Sequence, residues 1–138
     1  MLLENEKLQT ILVLMIDRHL GNLVVSLSSI VAIRRYLKDK TLYFAFDSNY
    51  REIVEVMSGV NNVIYFPRRE IYRSNFLKRT FLYLRFIHNL RRTNCDATID
   101  LQGGDASSIA TLLSGASYRV CKSSARRPYI YNTKVDLP

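Results

Sequence analysis

ILVLMIDRHLGNLVVSLSSIVAI, residues 11–33, is the stretch from which the fold is read. Ile11 to Ile16 are uninterruptedly apolar, and the run stops at Asp17, Arg18 and His19. Such a run is a strand buried on both faces, as in a parallel sheet covered by helices on either side. Gly21 then allows a tight turn or a close approach of the backbone to a ligand. A helix is predicted over 22–37, with Leu23, Leu27, Ile30, Val31 and Ile33 turned to the sheet and Arg34, Arg35 and Lys38 near its negative dipole end. Polar residues at the carboxyl end of a strand lie where open α/β sheets bind ligands, and the following helix N-terminus favours an anion.

The same alternation continues outward. A second strand is predicted over 42–46, followed by a turn at Asp47, Ser48 and Asn49 with good capping chemistry. A short helix over 51–57 ends at Ser58-Gly59. A third strand over 62–66 stops at Pro67 and leads into a basic segment with Arg68, Arg69 and Arg73. A basic amphipathic helix is expected over 75–92. Its Phe76, Leu77, Phe81, Leu84, Ile87 and Leu90 fall at helical spacing, so the aromatics of 76–86 read as core and not as a base-stacking platform. Lys78, Arg79, Arg85, Arg91 and Arg92 occupy much of the remainder. A fourth strand (97–101), a Gln102-Gly103-Gly104-Asp105 turn, a helix (106–113) closed by Ser114-Gly115 and a fifth strand (118–121) complete the pattern. Residues 122–138 are polar and basic and read as an extended tail. The fold class is therefore α/β: a Rossmann-like three-layer domain on a mainly parallel sheet of about five strands. Its topological switch falls beside the first strand, so the turns at 17–22 and 102–105 should meet across one crevice.

A length of 138 residues suits one domain, taken as 1–138, and 48% hydrophobic with 23% charged residues is an ordinary globular composition. Glu4 and Glu6 precede the apolar run where a secretory signal would be basic. The most apolar later stretch, 23–33, is broken by serines and falls well short of the ~20 residues that span a bilayer. Cys95, Cys121, His19 and His88 have no metal-ligand spacing, so no metal is expected and a reduced, cytoplasmic setting is the default. Gly21 stands alone where a dinucleotide fingerprint needs three glycines, and no phosphate-loop lysine motif occurs, so no cofactor is expected. The net charge of +8 calls for an anionic partner. Phosphorylated small molecules and an anionic membrane surface both fit, and nucleic acid ranks behind them because no recognised motif accompanies the charge.

Each candidate has a plainer alternative. Asp17, Arg18 and His19 would supply a base, an anion clamp and a proton shuttle, or form a solvated turn in which Asp17 pairs with an arginine. Asp100 with Gln102, Gly103 and Gly104 is a second site, or a carboxylate capping neighbouring amides while the glycines turn the chain. Arg68, Arg69 and Arg73 suit bidentate phosphate binding, or line a solvated surface.

Four pieces in order, ILVLMIDRHLGNLVVSLSSIVAIRR, SGVNNVIYF, CDATIDLQGG and LSGASYRV with the later ARRPYIYNTKV, resemble the N-terminal domain of the ADP-heptose:lipopolysaccharide heptosyltransferases, which are GT-B glycosyltransferases. The resemblance implies one half of a two-domain inverting enzyme of lipopolysaccharide core synthesis, in which an acceptor hydroxyl displaces ADP from the sugar C1. The nucleotide-sugar donor belongs to a second domain that this chain, ending at Pro138, does not contain, so the half alone is expected to be inactive. Either a piece of a longer protein or a stand-alone degenerate relative fits. The family's general base is the aspartate of a Gly-Asp pair; here the pair is Gly21-Asn22, and an amide cannot take that proton. Asp17 is the candidate substitute, and the family's nearby proline is replaced by Ser28. The implied acceptor is a phosphorylated lipid A–inner core on the cytoplasmic membrane face. Gly21, Arg68, Arg69, Arg73, Asp100, Gln102 and Gly103 would hold it, with Arg126 and Arg127 secondary. The helix over 75–92 would then rest on the membrane or be consumed by the sheet. The rival reading is a non-catalytic basic module for anionic lipid or a partner protein.

Overall fold

The structure is a computed structural model that describes residues 6–57, 59–122 and 124–135. Glu4, Ser58 and the last residues of the predicted tail (136–138) lie outside them. Six strands form one sheet in the order β3-β2-β1-β4-β5-β6, and every neighbouring pair is parallel. The strands are β1 (Thr10–Met15), β2 (Thr41–Asp47), β3 (Val63–Phe66), β4 (Ala97–Asp100), β5 (Tyr118–Lys122) and β6 (Thr133–Val135). Between them run α1 (Leu20–Tyr36), α2 (Arg51–Glu55), α3 (Arg68–Arg73), α4 (Phe76–Arg91) and α5 (Asp105–Leu113). Winding proceeds from β1 to β3, returns to β4 on the other side of β1, and continues outward. The switch point thus lies between β1 and β4, as expected.

The apolar run of β1 divides by the two-residue period of a strand. Leu12, Leu14 and Ile16 pack with Phe66, Phe86, Ile87 and Leu90 on the α4 and α5 side. Val13 and Met15 pack with Leu23, Ile30, Phe44 and Val54 on the α1 and α2 side. Burying both sets leaves no polar face on the strand, which is why its sequence shows no alternation.

Three expectations are corrected. The segment after residue 122 is not a tail: a 3-10 turn at Pro128–Ile130 leads into β6, which pairs Thr133 with Val120. Asn132 attaches it to β5, its side chain accepting from Arg119 N at 2.8 Å and its amide donating to Ser117 O at 2.7 Å. The basic segment after Pro67 is a helix, α3, whose Ile71 is buried. In α4, only Ile87 and Leu90 of the six apolar residues assigned to the core are buried, together with Phe86. Phe76, Leu77, Phe81 and Leu84 are exposed. Both sets repeat at helical spacing, and periodicity merges two stripes that the helix turns in different directions.

Candidate functional site

Three neighbouring strands deliver a buried aspartate to the same sheet edge: Asp17 just beyond β1, Asp47 at the end of β2 and Asp100 at the end of β4. In each, one carboxylate oxygen accepts the backbone N–H two residues on, from His19 at 2.9 Å, Asn49 at 2.9 Å and Gln102 at 3.0 Å. This turn satisfies amides that have left the sheet ladder. What differs is the remaining oxygen.

At Asp47 it meets the Arg68 guanidinium in an ion pair. At Asp100 it accepts from the Tyr131 hydroxyl, which lies 2.8 Å from Ser108 Oγ, while Gly103 N donates to the first oxygen at 2.9 Å. Burial, and then the neighbouring Asp100 charge, pushes the Tyr131 phenol far above its ordinary range. Asp100 thus builds the loop, matching the plainer alternative for this residue. At Asp17 the partner is the side-chain amide of Asn22, 2.6 Å away. Among the hydrogen bonds described, Asp17 receives only neutral donors.

The two turns do meet. Asp17, Arg18 and His19 face Gln102, Gly104 and Asp105 across a cavity of about 270 Å³ closed by Arg68, Tyr72 and Arg126. A second hollow of about 190 Å³ shares Asp17 and Gln102 with it and is also lined by Asn22 and Ser26. The first cavity gathers three guanidinium-bearing residues, with Asp47 behind Arg68 and Asp105 at the start of α5. Asp105 is bound by Arg126 at 2.8 Å and Arg127 at 3.1 Å. Hydrogen bonding, from Arg127 first and then Arg126, holds its carboxyl below the usual range. The Tyr50 hydroxyl donates to Arg18 O and steadies the turn from the β2 side.

The predicted residues separate. Asp17, Arg68, Gln102 and Arg126 line the first cavity and Asn22 the second. Arg69 and Arg73 are exposed and outside the lining of both, because α3 places Arg68 and Tyr72 on one face and turns the next residues about 100° away. Gln102 caps the loop, its Oε1 accepting from Gly104 N at 2.6 Å and Ser107 Oγ at 3.0 Å. Gly103 has φ +72, and a Cβ there would stand 3.1 Å from Cys121 Sγ, so the fold itself demands glycine. Gly21 is different. It lies inside the first turn of α1 with nothing within 4 Å of a Cβ, so the expected tight turn is not there and the helix already begins at Leu20. His19 occupies the N-cap position without making a side-chain cap. Among the described residues no three His, Cys, Asp or Glu side chains converge to hold a metal ion.

Sequence reasoning missed Tyr72, Asp105 and the Asp47–Arg68 pair. The available signal was an aspartate closing each of three apolar strands.

The sequence matches no family model and no curated protein. The structure does find counterparts. Escherichia coli heptosyltransferase WaaC, solved with ADP-2-deoxy-2-fluoro heptose, superposes with a TM-score of 0.77 at 17% identity, over 94% of this chain and 43% of that one. E. coli ADP-heptose LPS heptosyltransferase II gives 0.69 at 18% identity, over 94% and 35%. A family 9 glycosyltransferase from Veillonella parvula gives 0.68 at 14%, over 94% and 36%. The chain therefore spans less than half the length of each. At these identities the likeness is one of fold: this chain has the three-layer α/β fold found within GT-B glycosyltransferases, as its resemblance to the heptosyltransferases implied.

Proposed function

We propose that this chain is the acceptor-binding half of a heptosyltransferase-like inverting glycosyltransferase, acting on a phosphorylated lipid A–inner core at the cytoplasmic membrane face. The observation that carries the reading is the cavity at the β1/β4 switch point, where Arg18, Arg68 and Arg126 converge with an available carboxylate, Asp17. Guanidinium groups suit the phosphates and carboxylates of such an acceptor. The donor, a nucleotide sugar, belongs to a second domain, and without it the half carries out no transfer.

Within this reading Asp17 is the general base. Asn22 stands where the resembling family has its aspartate and cannot take a proton, but its amide holds the Asp17 carboxylate at 2.6 Å. A carboxylate thus lies within one hydrogen bond of that position. Asp105, the other carboxylate lining the cavity, is engaged by two arginines. Asp17 would accept the acceptor hydroxyl proton as the oxygen attacks the sugar C1 and ADP departs with the bonding pair.

In a protein joining this half to its nucleotide-sugar domain, Asp17→Asn is expected to lower kcat for transfer from ADP-heptose by about 10²-fold or more, the usual share of a general base. Asn22→Asp placed on that background should restore part of the loss. Full activity of Asp17→Asn would overturn the assignment. The second reading, a non-catalytic basic module, is favoured by Asn22 itself, and transfer by the joined protein would exclude it.

A further inference from the structure

We infer that the open edge of β3 is a docking groove for an extended acidic segment of a partner protein, which adds to the sheet as a further strand. β3 ends the sheet on one side. Phe44 N donates to Asn62 O at 3.1 Å, and in a parallel ladder this sets the N–H and C=O groups of Ile64 and Phe66 towards β2 as well. Those of Val63 and Tyr65 therefore point out over the open edge. Among the described residues no strand or loop bonds to them there.

A hollow of about 340 Å³ lies along this edge, and the alternation of the strand divides its walls. Tyr65 faces the α2 side, where the Arg51 guanidinium carbon stands 4.1 Å from the centre of its ring. Ile64 faces the α4 side, where Leu82, Arg85, Phe86 and Asn89 follow the i, i+3, i+4, i+7 spacing of one helix face. A cation thus flanks the edge on either face of the sheet, and no Asp or Glu lines the hollow. Among the described residues no carboxylate forms an ion pair with Arg51 or Arg85, and Glu55, whose charge reaches the Tyr65 phenol, is paired with neither. The side chains of Arg85 and Asn89 have no hydrogen-bond partner among those residues.

Charge and backbone together select the occupant. An extended chain turns successive side chains to opposite faces, so two adjacent acidic residues would meet Arg51 on one face and Arg85 with Asn89 on the other. Its main chain would at the same time pair with the outward groups of Val63 and Tyr65. A small anion would use the arginines and leave the strand edge unpaired. A second copy of this chain fits poorly, because pairing two β3 edges would bring the arginines of one copy against those of the other. The inference does not rest on the transferase reading.

The probe is a fluorescein-labelled nonapeptide of threonine and valine with two adjacent glutamates at its centre, titrated with the full chain by fluorescence anisotropy. Replacing both glutamates by glutamine should weaken binding about tenfold or more, as should Arg51→Glu or Arg85→Glu. Both arginines are exposed, so circular dichroism of the variants should match the parent. Arg69→Glu, an exposed charge reversal outside the groove, should bind like the parent. In the free chain the Val63 and Tyr65 amides should exchange with solvent faster than that of Ile64, and saturation with the peptide should slow them by about tenfold or more. No binding at ~1 mM peptide, where even a weak complex would register, would overturn the proposal. Equal affinity for the glutamate and glutamine peptides, or an equal loss from Arg69→Glu, would overturn it by reducing the effect to net charge. A bound peptide that leaves the Val63 and Tyr65 amides unprotected would do the same, as would its displacement by an equal concentration of inorganic phosphate, which would assign the groove to a small anion. Protection of those amides that rises with the concentration of the chain itself, without peptide, would assign the edge to a second copy.

Discussion

The three buried aspartates at the sheet edge show how one residue type takes three roles according to what its second oxygen meets. Asp47 is paired by a guanidinium, Asp100 by a buried phenol, and Asp17 by a neutral amide, the contact on which its proposed role as a base rests. The Tyr131–Asp100 contact has a pH consequence. Because the folded protein raises the Tyr131 pKa, its contribution to stability is fully present below the ordinary tyrosine value near 10 and is lost as pH rises above it. Urea unfolding of the parent between pH 8 and pH 11 should therefore show falling stability. Tyr131→Phe should lower stability at pH 8 by roughly 1–3 kcal/mol, the cost of leaving a buried acceptor without its donor, and flatten the alkaline fall. Tyr50, Tyr65 and Tyr83 are also raised by burial, so part of the slope should remain. A slope identical in the variant would show that Tyr131 is not held as described.

At the scale of elements, the two glycines of the candidate turns separate cleanly. Gly103 has left-handed backbone and Cys121 and Ala125 against it, so Gly103→Ala should cost at least about 1–2 kcal/mol in thermal or urea unfolding. Gly21 sits in helical backbone with open space, and Gly21→Ala should raise stability by up to about 1 kcal/mol. If alanine at 21 stabilises yet weakens acceptor binding, the glycine serves a close approach from outside. Destabilisation by Gly21→Ala would contradict the placement of this residue. Sequence alone treated the two glycines as one kind of turn, because conformational freedom and close packing leave the same letter. α4 was misread for a related reason, since helical spacing identifies a face without saying which of two faces the sheet covers.

For the whole molecule, the alternation of apolar runs with helical periods made the parallel sheet and its switch point legible, and with them the meeting of the 17–22 and 102–105 turns. β6 was not legible. It is three residues long, lies at the sheet edge and is fixed by Asn132 and by Arg119, which donates to Ile130 O, and such tertiary bonds leave no periodic trace. The arginines were legible as a charge excess and as candidates, but which of them line the cavity was not, because only the helical turn of α3 and the return of the chain to Asp105 set Arg68 and Arg126 beside Arg18 and leave Arg69 and Arg73 outside. Calorimetric titration of the chain with a phosphorylated lipid A–inner core acceptor measures whether this set of arginines holds it. Arg18→Ala and Arg126→Ala should each weaken binding tenfold or more, with Arg69→Ala close to the parent. Weakening by Arg69→Ala with the two cavity variants unchanged would place the acceptor on the outer face of α3 and not in the cavity.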